Sequence, residues 1–301
     1  MIDMSKKFFP VFALILALIF TISCANTGTE TEDATKMVFE NLSYGNHERN
    51  VLDLALPKNV TGDIGLVLFI HGGAWIMGDK AEYSAFVRQY AEELQVATAA
   101  INYRYISESV HMDDILDDID AALVKIKKTA AERGLNINKV LLTGASAGAH
   151  LSMLYAYRYK DTAPVKPAAV FSFCGPTNLY DDNFYVDGAL GTVEEICALM
   201  SFACGENFTT GTKDAAKDAL DTVSPLTYIS ADICPTAICH GEKDSIVPYS
   251  NALRILEAFE QHGVEYDFIS FPNSDHDLSG DPDCTQQAFT LLRNYAQTYL
   301  K

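Results

Sequence analysis

Five continuous apolar runs constrain this 301-residue chain more than any other feature: GLVLFIHGG from residue 65, VATAAINY at 96–103, KVLLTG at 139–144, AAVFSFCG at 168–175 and PTAICHG at 235–241. Runs of that length without polar alternation belong to strands covered on both faces. Helical stretches follow four of them, at 81–94, 112–133, 146–160 and 249–262; in the second, Ile115, Ile119, Leu123 and Ile126 keep helical spacing and Gly134 supplies a stop. A further strand at 265–271 and a closing helix at 285–300 complete the series. Ahead of it, 37–44 and 49–57 read as two antiparallel strands about a Gly45-Asn46 turn. Parallel strands need crossovers, and crossovers that return to the same end place helices on both faces of a sheet. The pattern predicts an α/β fold, a mainly parallel sheet between two helix layers, in one domain over 37–301.

The alternation lapses between 180 and 223. Tyr180, Phe184, Tyr185, Leu199, Met200 and Phe202 fall there without a strand signal. An insertion after the strand holding Phe171 would lie over the sheet end where ligands bind, so it is a candidate cap; a structural loop with short helices is the other reading.

Residues 1–23 are a different kind of sequence. Lys6 and Lys7 precede an apolar run over 8–22, too short for a spanning helix and suited to an export signal. The stretch Thr21-Ile22-Ser23-Cys24 resembles a bacterial lipobox, which makes Cys24 the expected lipidation site and mature N-terminus. Residues 24–36 are rich in Thr and acid with no large apolar side chain, the composition of a tether. The expectation is an exported lipoprotein, attached to a membrane only through that lipid; with an ordinary cleaved signal peptide it would instead be secreted or periplasmic.

With 40 acidic against 22 basic residues and a formal charge of -18, the chain is a poor partner for nucleic acid. Six cysteines follow Cys24 (Cys174, Cys197, Cys204, Cys234, Cys239 and Cys284). Their spacings match no zinc motif, and buried or locally bridged cysteines are the simplest reading, with pairings that sequence cannot rank.

Two glycine-rich corners carry the chemistry. GASAG at 144–148 places Ser146 between a strand, LLTG, and a helix, AGAHLSMLYAYR. A serine on a strand–turn–helix elbow is exposed at the sheet end, with the Ala147 amide at a helix N-terminus. HGGAW at 71–75 also directly follows a buried strand, where glycines let backbone amides point into a cavity. An activated serine needs a base, and the base needs an orienting acid. Asp244 in HGEKDSIVP and His276 in FPNSDHDL each follow a strand, and strand C-termini of a parallel sheet face one side. Glu242, Asp275, Asp277 and Asp281 are alternative acids. His150, one helical turn beyond Ser146, points along its helix and reads as a packing residue. His71 would brace the HGGAW loop, His240 lies inside a strand, His262 ends a surface helix, and His47 and His111 sit in turn-like stretches.

Taken in order, HGGAW, the Asn102-Tyr103-Arg104 triplet, GASAGAHL, HGEKDSIVP and the late SDH resemble the esterase and lipase branch of the α/β-hydrolase fold, especially the bacterial acetyl and feruloyl esterase-like (BD-FAE-like) group. The resemblance implies a carboxylesterase without metal or organic cofactor. It implies a triad of Ser146, Asp244 and His276, and an oxyanion hole from the amides of Gly73, Ala74 and Ala147. Where the family often has a third glycine this chain has Ala74, so a positive φ there would call its donor into question and bring in Gly72. Trp75 is a candidate for the substrate pocket; as the only tryptophan it argues against a long aromatic sugar platform. The expected substrate is a small or polysaccharide-linked short-chain acyl ester, acetyl or feruloyl. An arylformamidase-like amide hydrolase, a peptidase and a catalytically silent surface binding protein are the competing readings.

Overall fold

A computed structural model describes residues 37–301; the expected signal segment 1–23, the tether 24–36 and Cys24 lie outside the described residues. Eight strands form one sheet: β1 (Val38–Ser43), β2 (Val51–Ala55), β3 (Gly62–Ile70), β4 (Ala97–Ile101), β5 (Leu135–Ala145), β6 (Lys166–Phe173), β7 (Thr236–Gly241) and β8 (Tyr266–Phe271). Their spatial order is β1-β2-β4-β3-β5-β6-β7-β8. The β1–β2 and β2–β4 pairs are antiparallel and the rest parallel.

Along β3 the side chains alternate between two cores. Leu66, Leu68 and Ile70 face one apolar layer, built with helices α2 (Met112–Ala131), α3 (Ala147–Arg158) and α6 (Ser250–His262). Val67 and Phe69 face the other, under α1 (Ser84–Leu94) and α7 (Pro282–Tyr299). Burying each such side chain stabilises the fold by roughly 1.5–3 kcal/mol, which is why the central strands read as unbroken apolar runs.

Several boundaries differ from the sequence reading. β5 starts at Leu135 rather than 139, because Leu135 and Ile137 pair with Gly62 and Ile64 before a register shift. The helix expected from 81 opens as a 3-10 turn, Lys80–Tyr83, capped by Asp79, before α1 proper. The stretch 180–223 contains α4 (Val193–Cys204), α5 (Lys217–Thr222) and short 3-10 turns. α4 carries a Thr192/Glu195 capping box and a left-handed Gly205 at its end. No helix among the described residues is long and apolar enough to cross a membrane.

Candidate active site

β5 ends at Ala145 and α3 begins at Ala147, so Ser146 alone makes the corner, with φ 55° and ψ -123°. That conformation is costly for a residue with a side chain and persists only where its surroundings impose it. Here the Ser146 amide donates to Phe173 O (2.8 Å) and the His150 amide to Ser146 O (3.0 Å). The flanking glycines permit the close approach. A Cβ on Gly148 would lie 1.9 Å from Ile70 O, and one on Gly144 2.3 Å from the same oxygen.

The loop after β3 is held in an unusual shape, with positive φ at Gly73 (101°), Ala74 (48°) and Trp75 (61°). Because a trans peptide is planar, its N–H points opposite its C=O, so whatever fixes a carbonyl also aims the next amide. The Gly73 carbonyl accepts from Ile76 N and Met77 N, both at 3.0 Å, which aims the Ala74 amide. The Gly72 carbonyl accepts from His71 Nδ1 (2.8 Å), which aims the Gly73 amide. His71 is fully buried and stacks on Tyr103. Burial foremost pushes its pKa down to about 3, so the ring is neutral. The Asn102-Tyr103-Arg104 triplet buttresses the same loop. Tyr103 Oη donates to His71 O (3.0 Å), Asn102 Oδ1 accepts from Lys80 N (2.7 Å), and Arg104 pairs with Asp118 (3.0 Å).

Asp244 and His276 meet directly: His276 Nδ1 lies 2.8 Å from Asp244 Oδ2. Asp244 Oδ1 accepts from Ile246 N (2.9 Å) and Val247 N (2.8 Å). His240 Nε2, 2.9 Å from Val247 O, also lies 3.3 Å from Asp244 Oδ2. Burial alone would raise the Asp244 pKa; the hydrogen bonds and charges of His240 and His276 outweigh it and hold the carboxyl well below the usual range. The loop bearing His276 is stitched to the acid's loop. Asp275 Oδ1 accepts from Ser245 N (2.8 Å), and Lys243 N donates to Ser274 O (3.1 Å). Asp275 thus serves the backbone, Asp277 accepts from Ser279, and Asp281 accepts from Asn273 and Ser274. Glu242 accepts from Ser270. Of the five acids weighed, Asp244 is the one on the imidazole.

Cys174 and His240 were not singled out for the acid's surroundings by sequence. Together with Asp244 they bring one ligand atom each within 4.8 Å of one another. In this arrangement the His240 Nε2–H is spent on Val247 O and the carboxylate on His276. The Cys174 thiol is pushed well above its ordinary pKa by burial first and then by the Asp244 charge. The set encloses the carboxylate with donors. All six cysteines of the described residues are free thiols.

Ser146, Ala147, Ala74 and Trp75 line a small cavity of about 20 Å³ together with Ile246 and Val247. The turn that holds Asp244 therefore forms a wall of the cavity that Ser146 faces. Gly73 and Gly72 are not among its lining residues; Ala74 is, and it adopts a positive φ of 48° despite its side chain, so the expected switch to Gly72 is not what the cavity lining favours. The 180–223 insertion closes the cavity with Phe184, Leu190 and Met200, which makes it a cap in the literal sense. It is anchored at both ends. Asp181 is buried and accepts from Arg254 (2.7 Å) and Ser250 (2.7 Å) of α6, and His150 Nε2 donates to Val223 O (2.8 Å). His111 Nδ1 donates to Phe202 O (2.8 Å) in its middle. His150 also accepts from Trp75 Nε1 (3.3 Å), and burial pushes its pKa down to about 4. His150 is thus a packing and anchoring residue.

A serine on the β5–α3 elbow, an acid after β7 and a histidine after β8 follow the chain order of the α/β-hydrolase fold. A family model narrows this: it matches residues 52–259, and the chain belongs to the BD-FAE family. Among curated proteins, the probable carboxylic ester hydrolase LipM of Mycobacterium tuberculosis is 29% identical over 86% of this chain and 61% of its own length. The kynurenine formamidase of Salmo salar is 24% identical over 85% of this chain and 80% of its own. The chain spans about half to three fifths of the length of three curated relatives that it matches. A truncated carbohydrate esterase from gut microbiota superposes with a TM-score of 0.70 at 21% identity, covering 88% of this chain and 97% of that one.

Proposed function

We propose that the protein is a serine carboxylesterase that removes short acyl groups, acetyl above all, through Ser146, His276 and Asp244. The observation that carries this reading is the Asp244–His276 hydrogen bond, made by a turn that also walls the cavity of Ser146. Ser146 Oγ attacks the ester carbonyl while His276 Nε2 takes its proton, and Asp244 holds the proton on Nδ1 and stabilises the imidazolium. The oxyanion is received by the amides of Ala147 and Ala74, with Gly73 as the third donor of the expected set; each donor is worth about 3 kcal/mol. His276 returns the proton to the leaving alcohol, then activates water to release the acid from the acyl-enzyme.

Cavity size supports the short acyl group. A cavity of about 20 Å³ lies far below the roughly 300–1,000 Å³ of sites for drug-sized ligands, which favours acetyl over the much larger feruloyl. The likeness to a carbohydrate esterase supports a sugar-linked ester. The formamidase relative keeps an aryl formamide as a second reading, since formyl is smaller still. For location we propose export and lipidation at Cys24, on the strength of residues 8–24; palmitate labelling lost in Cys24→Ser tests it.

Hydrolysis of nitrophenyl acetate, butyrate and octanoate, beside N-formylkynurenine and acetylated or feruloylated xylan, tests the activity. Acetate turnover well above octanoate, abolished in Ser146→Ala, is expected. Equal, slow release by wild type and Ser146→Ala would end the esterase reading.

A further inference from the structure

Arg49, in the turn between β1 and β2, is far from Ser146 in sequence, yet its guanidinium ends on the loop that carries Ala74. Arg49 Nη2 lies 3.1 Å from His71 Nε2 and donates to Gly78 O (3.1 Å), and Arg49 Nε donates to Tyr103 O (2.8 Å). The guanidinium lies over Tyr105, its carbon 3.8 Å from the ring centre, and Tyr105 Oη donates to the same Gly78 carbonyl (2.6 Å). Among the described residues Arg49 forms no ion pair, although acids outnumber bases 40 to 22. The guanidinium's partners are carbonyls, an imidazole and a ring face. An arginine cannot give up its proton, so His71 Nε2 opposite it must accept. The one proton of the neutral ring then sits on Nδ1, where it donates to Gly72 O at 2.8 Å. The Gly72 carbonyl, so fixed, aims the Gly73 amide the opposite way.

We propose that Arg49 is a positioning residue for the oxyanion loop, acting by locking His71 in its Nδ1–H tautomer. The proposal rests on the esterase reading, because the loop amides matter only if an oxyanion forms against them. Without Arg49, His71 can move its proton to Nε2, Gly72 O keeps only the longer bond from Tyr103 Oη (3.4 Å), and the 72–73 peptide is held less firmly. Misaimed donors weaken transition-state stabilisation more than substrate binding.

The test combines kinetics with histidine nitrogen NMR on wild type, Arg49→Met and Arg49→Lys. In wild type His71 reads as the Nδ1–H tautomer. In Arg49→Met it becomes a tautomer mixture, and kcat on nitrophenyl acetate falls by about 10- to 100-fold, the scale of a misplaced catalytic group, with KM changed less than about threefold. Arg49→Lys keeps the charge but offers one nitrogen in place of a fork, so it lies between the two and covers the case in which the Met variant does not fold. A His71 tautomer unchanged in both variants, or a kcat unchanged while the tautomer shifts, overturns the proposal. The tautomer is read without substrate, so an inactive wild type would count against the esterase reading while leaving the Arg49–His71 lock to be judged by NMR.

Discussion

Asp244→Asn is nearly isosteric and tests what the carboxylate does. In the wild type Oδ1 accepts from Ile246 N and Val247 N, and Oδ2 faces His276 Nδ1 at 2.8 Å and His240 Nε2 at 3.3 Å. An asparagine can keep its carbonyl on the two amides, so the turn survives. Its NH₂ then points at two ring nitrogens. His240 keeps its proton for Val247 O at 2.9 Å, so His276 must present a bare Nδ1 and carry its proton on Nε2. That is the nitrogen required to accept from Ser146. The wrong tautomer, together with an imidazolium lacking its counter-charge, should lower kcat by on the order of 10³–10⁴, about 4–5.5 kcal/mol at roughly 1.36 kcal/mol per decade. The assay is steady-state turnover of nitrophenyl acetate at neutral pH, with circular dichroism to establish folding. A folded Asp244→Asn enzyme within tenfold of wild type would refute the reasoning.

Other outcomes follow from the same geometry. The depressed Asp244 pKa means that the unfolded chain binds more protons than the native one below about pH 4. The stability it contributes is therefore present above that pH and lost as pH falls toward the folded value; urea titrations should show the wild-type slope there flattened in Asp244→Asn. His150→Gln should leave kcat within about tenfold of wild type while unfolding free energy drops by about 1–3 kcal/mol, since a buried anchor to Val223 O is disturbed and no proton relay is lost. His276→Gln should do the reverse. Leu190→Ala and Met200→Ala enlarge the capped cavity, and the ratio of octanoate to acetate turnover should rise several-fold in each; an unchanged ratio would place the acyl group elsewhere.

The central strands and the order of their helices were legible because burial on both faces leaves a continuous apolar record in β3 to β7. The corner at Ser146 and the meeting of Asp244 with His276 were legible because each residue sits next to a strand end, where local pattern and position coincide. What sequence could not supply depended on distant pairing. His240 reads as an ordinary strand residue until the 244–247 turn folds back onto it. Arg49 sits in an exposed hairpin turn, and only the β2–β4 pairing carries it to Tyr103 and His71. Helix α4 buries most of its apolar residues, Met200 against the cavity, while the short α5 buries only Leu220, which blurs periodicity in a stretch lacking strands. His150 shows the opposite hazard: it is close to Ser146 in sequence, yet its ring nitrogens belong to Trp75 and Val223.

The central claim, that Ser146 becomes covalently acylated, is tested most directly by treating the purified protein with a dialkyl nitrophenyl phosphate and mapping the adduct by mass spectrometry. One adduct per chain on the peptide holding Ser146, appearing in step with the loss of esterase activity and absent in Ser146→Ala, is the predicted result. Complete inactivation without an adduct on Ser146, or full activity retained with Ser146 stoichiometrically modified, would contradict it.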